Sequence, residues 1–184
     1  MSNVAFAFDL HNTLLHSNDA WIEAYMELSG GRFREEVGDA IYRKQSRKKI
    51  AEEIGVSYDA VYRNYCRLVK PIGDMVILLE TLKKHFPLYL ISAASASRVE
   101  SDLTPWNGQF FFDLILTKEN FCKEQPEDWE RLLVQQNVDL LIYIGNDIDE
   151  DIPILPSVLP FICGDFLKEL DKLDLLIKRG EMMA

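Results

Sequence analysis

The chain has 184 residues, 48% hydrophobic and 27% charged, with 20 Lys+Arg against 30 Asp+Glu and a formal net charge of -10. That is enough chain to bury an ordinary core, and its composition excludes whole-chain disorder, collagen and coiled-coil arrays. The acid excess argues against general binding to nucleic acid or anionic membrane, and no apolar stretch reaches the roughly 18 uncharged residues of a membrane span.

In chain order, residues 4–8 are a short apolar run closed by Asp9 and the polar turn His11, Asn12, Thr13. The run reads as a buried strand. Similar runs are 88–91, closed by Ser92; 112–116, closed by Thr117; 140–144, closed by Gly145, Asn146 and Asp147; and a weaker one at 159–162. Helical patterns over 75–85, 126–136 and 166–178 lie between and after them. The second opens with Pro126, Glu127 and Asp128, a first turn that suits the helix dipole. Strands that alternate with helices, and are apolar throughout, predict a parallel sheet covered on both faces.

Residues 17–70 break this alternation. They predict helices only, over 19–28, 34–54 and 57–69, with Ser57 as an N-cap, and their charge is nearly balanced, 10 Lys+Arg against 9 Asp+Glu. The organisation is therefore an α/β core of residues 1–16 and 71–184 with a helical insertion, 17–70, after the first strand. The start of the chain lacks the basic flank of a signal peptide. The three cysteines, Cys66, Cys122 and Cys163, have no CxxC spacing. That excludes a disulfide framework or zinc site and predicts a reduced, cytoplasmic protein.

Ligands of open α/β sheets bind at the carboxyl ends of the strands. Those ends deliver Asp9, Ser92, Lys118 or Lys123, and Asp147 with Asp149, Glu150 and Asp151 behind it. A carboxylate nucleophile, a hydroxyl, a lysine and a carboxylate pair for a divalent cation are the parts of a phosphoryl-transfer site.

Phe8-Asp9-Leu10-His11-Asn12-Thr13-Leu14-Leu15 resembles the first motif of the haloacid dehalogenase (HAD) superfamily, DxDxT followed by apolar residues. Leu90-Ile91-Ser92 resembles its second motif. The run 112–117, then Lys123, Pro126 and the acidic and aromatic residues up to Trp129, is similar to the third. Tyr143-Ile144-Gly145-Asn146-Asp147 with Asp151 resembles the fourth. The motifs occur in the family's order, and the insertion stands where the family carries its small helical cap. The resemblance implies a HAD-like Rossmannoid three-layer sandwich with a five-stranded parallel sheet and an all-helical cap.

It further implies a phosphatase-like hydrolase of a small phosphorylated metabolite, dependent on Mg2+ and working through an aspartyl-phosphate. Asp9 is then the nucleophile, and Lys123, preferred over Lys118 because of Pro126 and Trp129, holds the phosphoryl group with Ser92, Ala93 and Thr13. The implied metal ligands are Asp9, the main-chain carbonyl of His11, Asp147 and Asp151. Asn146, Asp149 and Glu150 are alternatives within the same run.

Two positions depart from the family pattern. His11 stands where its phosphatases carry an acid/base Asp; an imidazole can do that work, or it can be a hydrogen-bonded turn residue. Asn146, not Asp, follows Gly145. The substitution at His11 keeps two other readings in view: a haloacid dehalogenase, which needs no metal, and a weakly catalytic protein that binds a phosphorylated ligand or a protein partner. The expected partner is a small substrate, without nucleic acid or membrane, for a monomer or homodimer. Ser92 could instead cap the next helix. The basic run from Arg43 to Lys49 reads as a solvated face or as cover for an anionic substrate. The insertion's aromatic residues, Trp21, Tyr25, Tyr42, Tyr58, Tyr62 and Tyr65, read as its core. Cys122, beside Lys123, reads as a small hydrophobe.

Overall fold

The computed structural model describes residues 3–147 and 155–164. The predicted helix 166–178 and residues Asp149, Glu150 and Asp151 lie outside them. The chain divides into two compact units, residues 15–71 and the remainder, 1–14 with 72–184.

The larger unit holds five strands: β1 (Val4–Phe8), β2 (Leu88–Ile91), β3 (Leu114–Leu116), β4 (Leu140–Gly145) and β5 (Val158–Ile162). They form one sheet in the order β3-β2-β1-β4-β5, and every pairing is parallel. β1 is central, and Phe8 stands opposite both Leu90 of β2 and Ile144 of β4. One residue further on, Asp9 comes level with Ile91 and Gly145, so the polar residues that close three strands emerge at one edge.

Side chains alternate across a strand, and here both faces are apolar. Ala5, Ala7, Tyr89, Ile91, Leu141, Tyr143 and Val158 pack with Trp129 and Leu132 of a helix over Pro126–Gln136. Trp129 meets Phe121 and Tyr143 edge-on, with ring centroids 5.1 and 5.3 Å away. Phe6 belongs to the opposite face and meets Phe86 edge-on at 5.1 Å. The helix Gly73–Leu82, with Met75, Leu78, Leu79 and Leu82 buried, precedes that turn. A further helix, Ala96–Leu103, and two 3-10 turns, Thr104–Trp106 and Gly108–Phe111, join β2 to β3.

The smaller unit is all helical, with α1 (Ser17–Ser29), α2 (Arg34–Tyr42), α3 (Arg47–Ile54) and α4 (Tyr58–Leu68). Among the described residues, the larger unit's helices with both ends in view are then, in chain order, α5 (Gly73–Leu82), α6 (Ala96–Leu103) and α7 (Pro126–Gln136). The segments that enter and leave the smaller unit pair with each other, through a Leu15–Pro71 bridge and the His16 N–H donated to the Lys70 carbonyl at 3.0 Å. Ser57 caps α4 as predicted, accepting the Ala60 N–H at 3.4 Å.

The single helix predicted over 34–54 is two. Lys44 adopts a left-handed φ of 57°. The N–H groups of Lys44 and Gln45 turn back to the carbonyls of Ile41 and Ala40. That closes α2 with a Schellman motif, and the apolar period of the sequence carries no signal of the break.

Trp21 is the hub of the unit's aromatic core. It stacks on Tyr65 at 4.3 Å and lies 6.3 Å from the rings of Tyr25, Tyr58 and Tyr62. Burial pushes the Tyr25 phenol up to about 12, with the Arg47 charge opposing the shift. Tyr42, expected in this core, is 67% exposed. The basic run is partly a solvated face, with Arg43 paired to Asp39 and Lys49 to Glu53. Arg47 and Lys48 instead lie over the rings of Trp21 and Tyr58. Among the described residues no helix is long and apolar enough to cross a membrane.

Candidate active site at the carboxyl edge of the sheet

Asp9 follows β1 directly, its N–H donated to the Ile144 carbonyl of β4 at 2.9 Å, so the paired strands fix its main chain. Its side chain meets Lys123, whose Nζ donates to Asp9 Oδ1 at 2.6 Å. The two side chains are 9% and 4% exposed, so this is a desolvated ion pair. Lys118, the other lysine of the segment, is exposed.

The placement of Lys123 has a local cause. Pro126 begins α7 at a position that needs no N–H, and Asp128 in its first turn accepts the Cys122 N–H at 2.7 Å. Trp129, fully buried, donates its indole N–H to the Lys123 carbonyl at 2.7 Å. The first turn of α7 thereby pins the main chain on both sides of the lysine. The ammonium lies 5.5 Å from the centroid of the Tyr143 ring. A Cβ at residue 145 would stand 2.9 Å from that ring, so glycine at this position keeps Tyr143 in place.

Ser92 is buried at the end of β2 and does not cap the next helix; Ser95 occupies that position. Its Oγ accepts the Ala94 N–H at 3.2 Å, which shapes the turn through the exposed Ala93. Asn12 takes a left-handed φ of 61°, a conformation asparagine tolerates, and turns the chain after Asp9. Thr13, fully buried, donates to Asn146 Oδ1 at 3.4 Å and so ties that turn to the end of β4, next to Asp147. Asp151 lies outside the described residues.

The imidazole of His11 meets a residue that the sequence reading missed. Its Nε2 is 2.9 Å from Oδ2 of Asp102, a carboxylate of α6 whose side chain is fully buried. Arg98, one turn earlier on α6, donates Nε to the same oxygen at 2.6 Å. The spacing of Arg98 and Asp102 marks a helix-face pair, but nothing in it points to a partner 91 positions away. Cys122, read as a small hydrophobe, is exposed.

The donors at this edge suit a hard cation: the Asp9 and Asp147 carboxylates and the main-chain carbonyl of His11 are all oxygen. Among the described residues no three His, Cys, Asp or Glu side chains converge.

A parallel sheet whose central strand ends in a buried carboxylate paired with a lysine defines an α/β fold with a charged site at the carboxyl ends of its strands. A family model described as haloacid dehalogenase-like hydrolase matches residues 6–152. The chain belongs to that family, and the predicted fold, a five-stranded parallel sheet of HAD type, is the one observed.

Solved structures share the fold. A HAD-superfamily hydrolase of subfamily IA from Geobacter sulfurreducens is 17% identical, with a TM-score of 0.65 over 94% of this chain and 96% of that one. A hydrolase from Streptococcus pneumoniae is 16% identical, with a TM-score of 0.70 over 93% and 100%. A HAD phosphatase from Thermococcus onnurineus is 15% identical, with a TM-score of 0.60 over 94% and 97%. No curated protein matches the sequence.

Proposed function

We propose that this HAD-family hydrolase is a magnesium-dependent phosphatase acting on a small phosphorylated metabolite through an aspartyl-phosphate. The carrying observation is the buried Asp9–Lys123 pair, 2.6 Å long, at the carboxyl end of the central strand. Asp9 would attack phosphorus while Lys123 neutralises the equatorial oxygens, and Ser92, at the end of the neighbouring strand, supplies a hydroxyl donor to them. Thr13 and the turn at Ala93 shape the cradle. His11 would protonate the departing oxygen and then take a proton from the water that hydrolyses the aspartyl-phosphate.

Asp9, the His11 carbonyl, Asp147 and, beyond the described residues, Asp151 would hold magnesium, which when bound offsets the charge gathered on the phosphoryl oxygens. The acidic chain favours a small substrate over a nucleic acid. Free Cys66, Cys122 and Cys163 fit a cytoplasmic setting.

The test is phosphate release from a panel of small phosphomonoesters, with magnesium and with chelator, for the native chain and Asp9→Asn. Magnesium-dependent release that Asp9→Asn abolishes is expected. No release above the Asp9→Asn background on any ester would overturn the proposal. Halide release from a 2-haloacid in chelator would replace it with the dehalogenase reading.

A further inference from the structure

His11 and Asp102 are 91 positions apart, on the turn after β1 and on α6, yet their polar atoms stand 2.9 Å apart. The Asp102 side chain is fully buried, that of Arg98 is 16% exposed and that of His11 is 26% exposed. A buried carboxylate is costly unless paired, and Arg98, through Nε at 2.6 Å, already supplies a cation. The indole N–H of Trp106 donates to the Asp102 main-chain carbonyl at 2.9 Å, which fixes this turn of α6 from the far side. Asp102 is thus a rigid acceptor, and the half-open imidazole is the movable member of the set.

A carboxylate accepts and does not donate, so the contact commits a proton to Nε2 of His11 and leaves Nδ1 as the ring nitrogen available for other partners. We propose that Asp102 is a positioning residue for His11. Seated by Arg98, it sets the ring's orientation and its tautomer, and so lets an imidazole serve where the family's phosphatases use a carboxyl. This inference rests on the phosphatase reading. It adds that Nε2 is engaged by Asp102, so that Nδ1 is the ring nitrogen through which His11 would act.

The experiment is a double-mutant cycle on phosphate release with magnesium present, comparing native chain, Asp102→Asn, His11→Ala and the double variant. General acid–base contributions run to about 100- to 10,000-fold, and loss of the orienting partner should remove a part of that. Asp102→Asn is expected to lower kcat about 10- to 100-fold with KM within about twofold, to do nothing further in the His11→Ala background, and to be partly rescued by Asp102→Glu. A merely structural role would lower both backgrounds alike.

Nitrogen-15 NMR of the His11 ring at one pH reads the same contact without turnover. The proton is expected on Nε2 in the native chain and should lose that preference in Asp102→Asn. If Asp102→Asn does not fold, Arg98→Gln loosens the carboxylate while keeping its charge and should lower kcat in the same His11-dependent way. An unchanged or raised kcat, an equal loss in both backgrounds, or a native His11 protonated on Nδ1 alone would overturn the inference and leave the phosphatase standing. Absence of turnover in the native chain would instead overturn the phosphatase reading, and this inference with it.

Discussion

Lys123→Met removes a cation from beside a carboxylate that is nearly shut off from water. The Asp9 and Lys123 side chains are 9% and 4% exposed, and their contact is 2.6 Å. Breaking a buried pair by deleting one partner costs about 3–5 kcal/mol, because the other charge is left without compensation. For a chain of 184 residues, each kcal/mol moves Tm by about 2–4 °C, so Lys123→Met should lower Tm by about 6–20 °C. The double variant Asp9→Asn/Lys123→Met buries no charge here and should regain most of that loss, since neutral replacements of buried pairs are often tolerated. Thermal unfolding followed by circular dichroism at pH 7, with chelator to remove any bound cation, reads all three proteins. A native Tm in Lys123→Met, or a double variant no more stable than the single one, would refute the reasoning that this is a desolvated pair held together by the fold.

The other expectations concern groups away from this pair. Burial raises the Asp113 carboxyl, but the Lys83 hydrogen bond, the Leu88 N–H and the Lys83 charge outweigh it and hold the group below its ordinary 3.8. A lowered folded-state value stabilises above the unfolded value and is lost as pH falls through the folded one. The Tm gap between the native chain and Asp113→Asn should therefore be full at pH 6 and close below about pH 4; a gap that widens in acid would contradict this. Burial also pushes the Cys163 thiol up, whereas Cys122 is exposed. Iodoacetamide at pH 7.5 followed by peptide mass spectrometry should label Cys122 in the folded chain and Cys163 only on unfolding; equal rates in the folded chain would refute that assignment.

The sequence by itself determined the parts of the molecule whose causes are local. Apolar runs that stop at Asp9, Ser92 and Asn146 announce strands with chemistry at their carboxyl ends, because a strand buried on both faces admits polar side chains only where it leaves the sheet. Pro126 and Trp129 favour Lys123 over Lys118 through the resemblance to the family's third motif, and in the structure the first turn of α7 fixes the main chain on both sides of Lys123. The change from strands to helices alone predicts an insertion at residues 17–70; the smaller compact unit of the structure is residues 15–71.

Other features have no such local cause. The order β3-β2-β1-β4-β5 is set by which apolar faces pack together, and each strand's pattern is compatible with several orders. The break at Lys44 depends on a Schellman closure that a lysine makes as readily as a glycine once its neighbours hold it. The partner of His11 was the least legible of all. Read along the chain, Arg98 and Asp102 are an ordinary pair on a helix face. Only when α6 is laid beside the turn after β1 does their shared oxygen come within 2.9 Å of an imidazole, because a hydrogen bond depends on distance in space and the sequence records only distance along the chain.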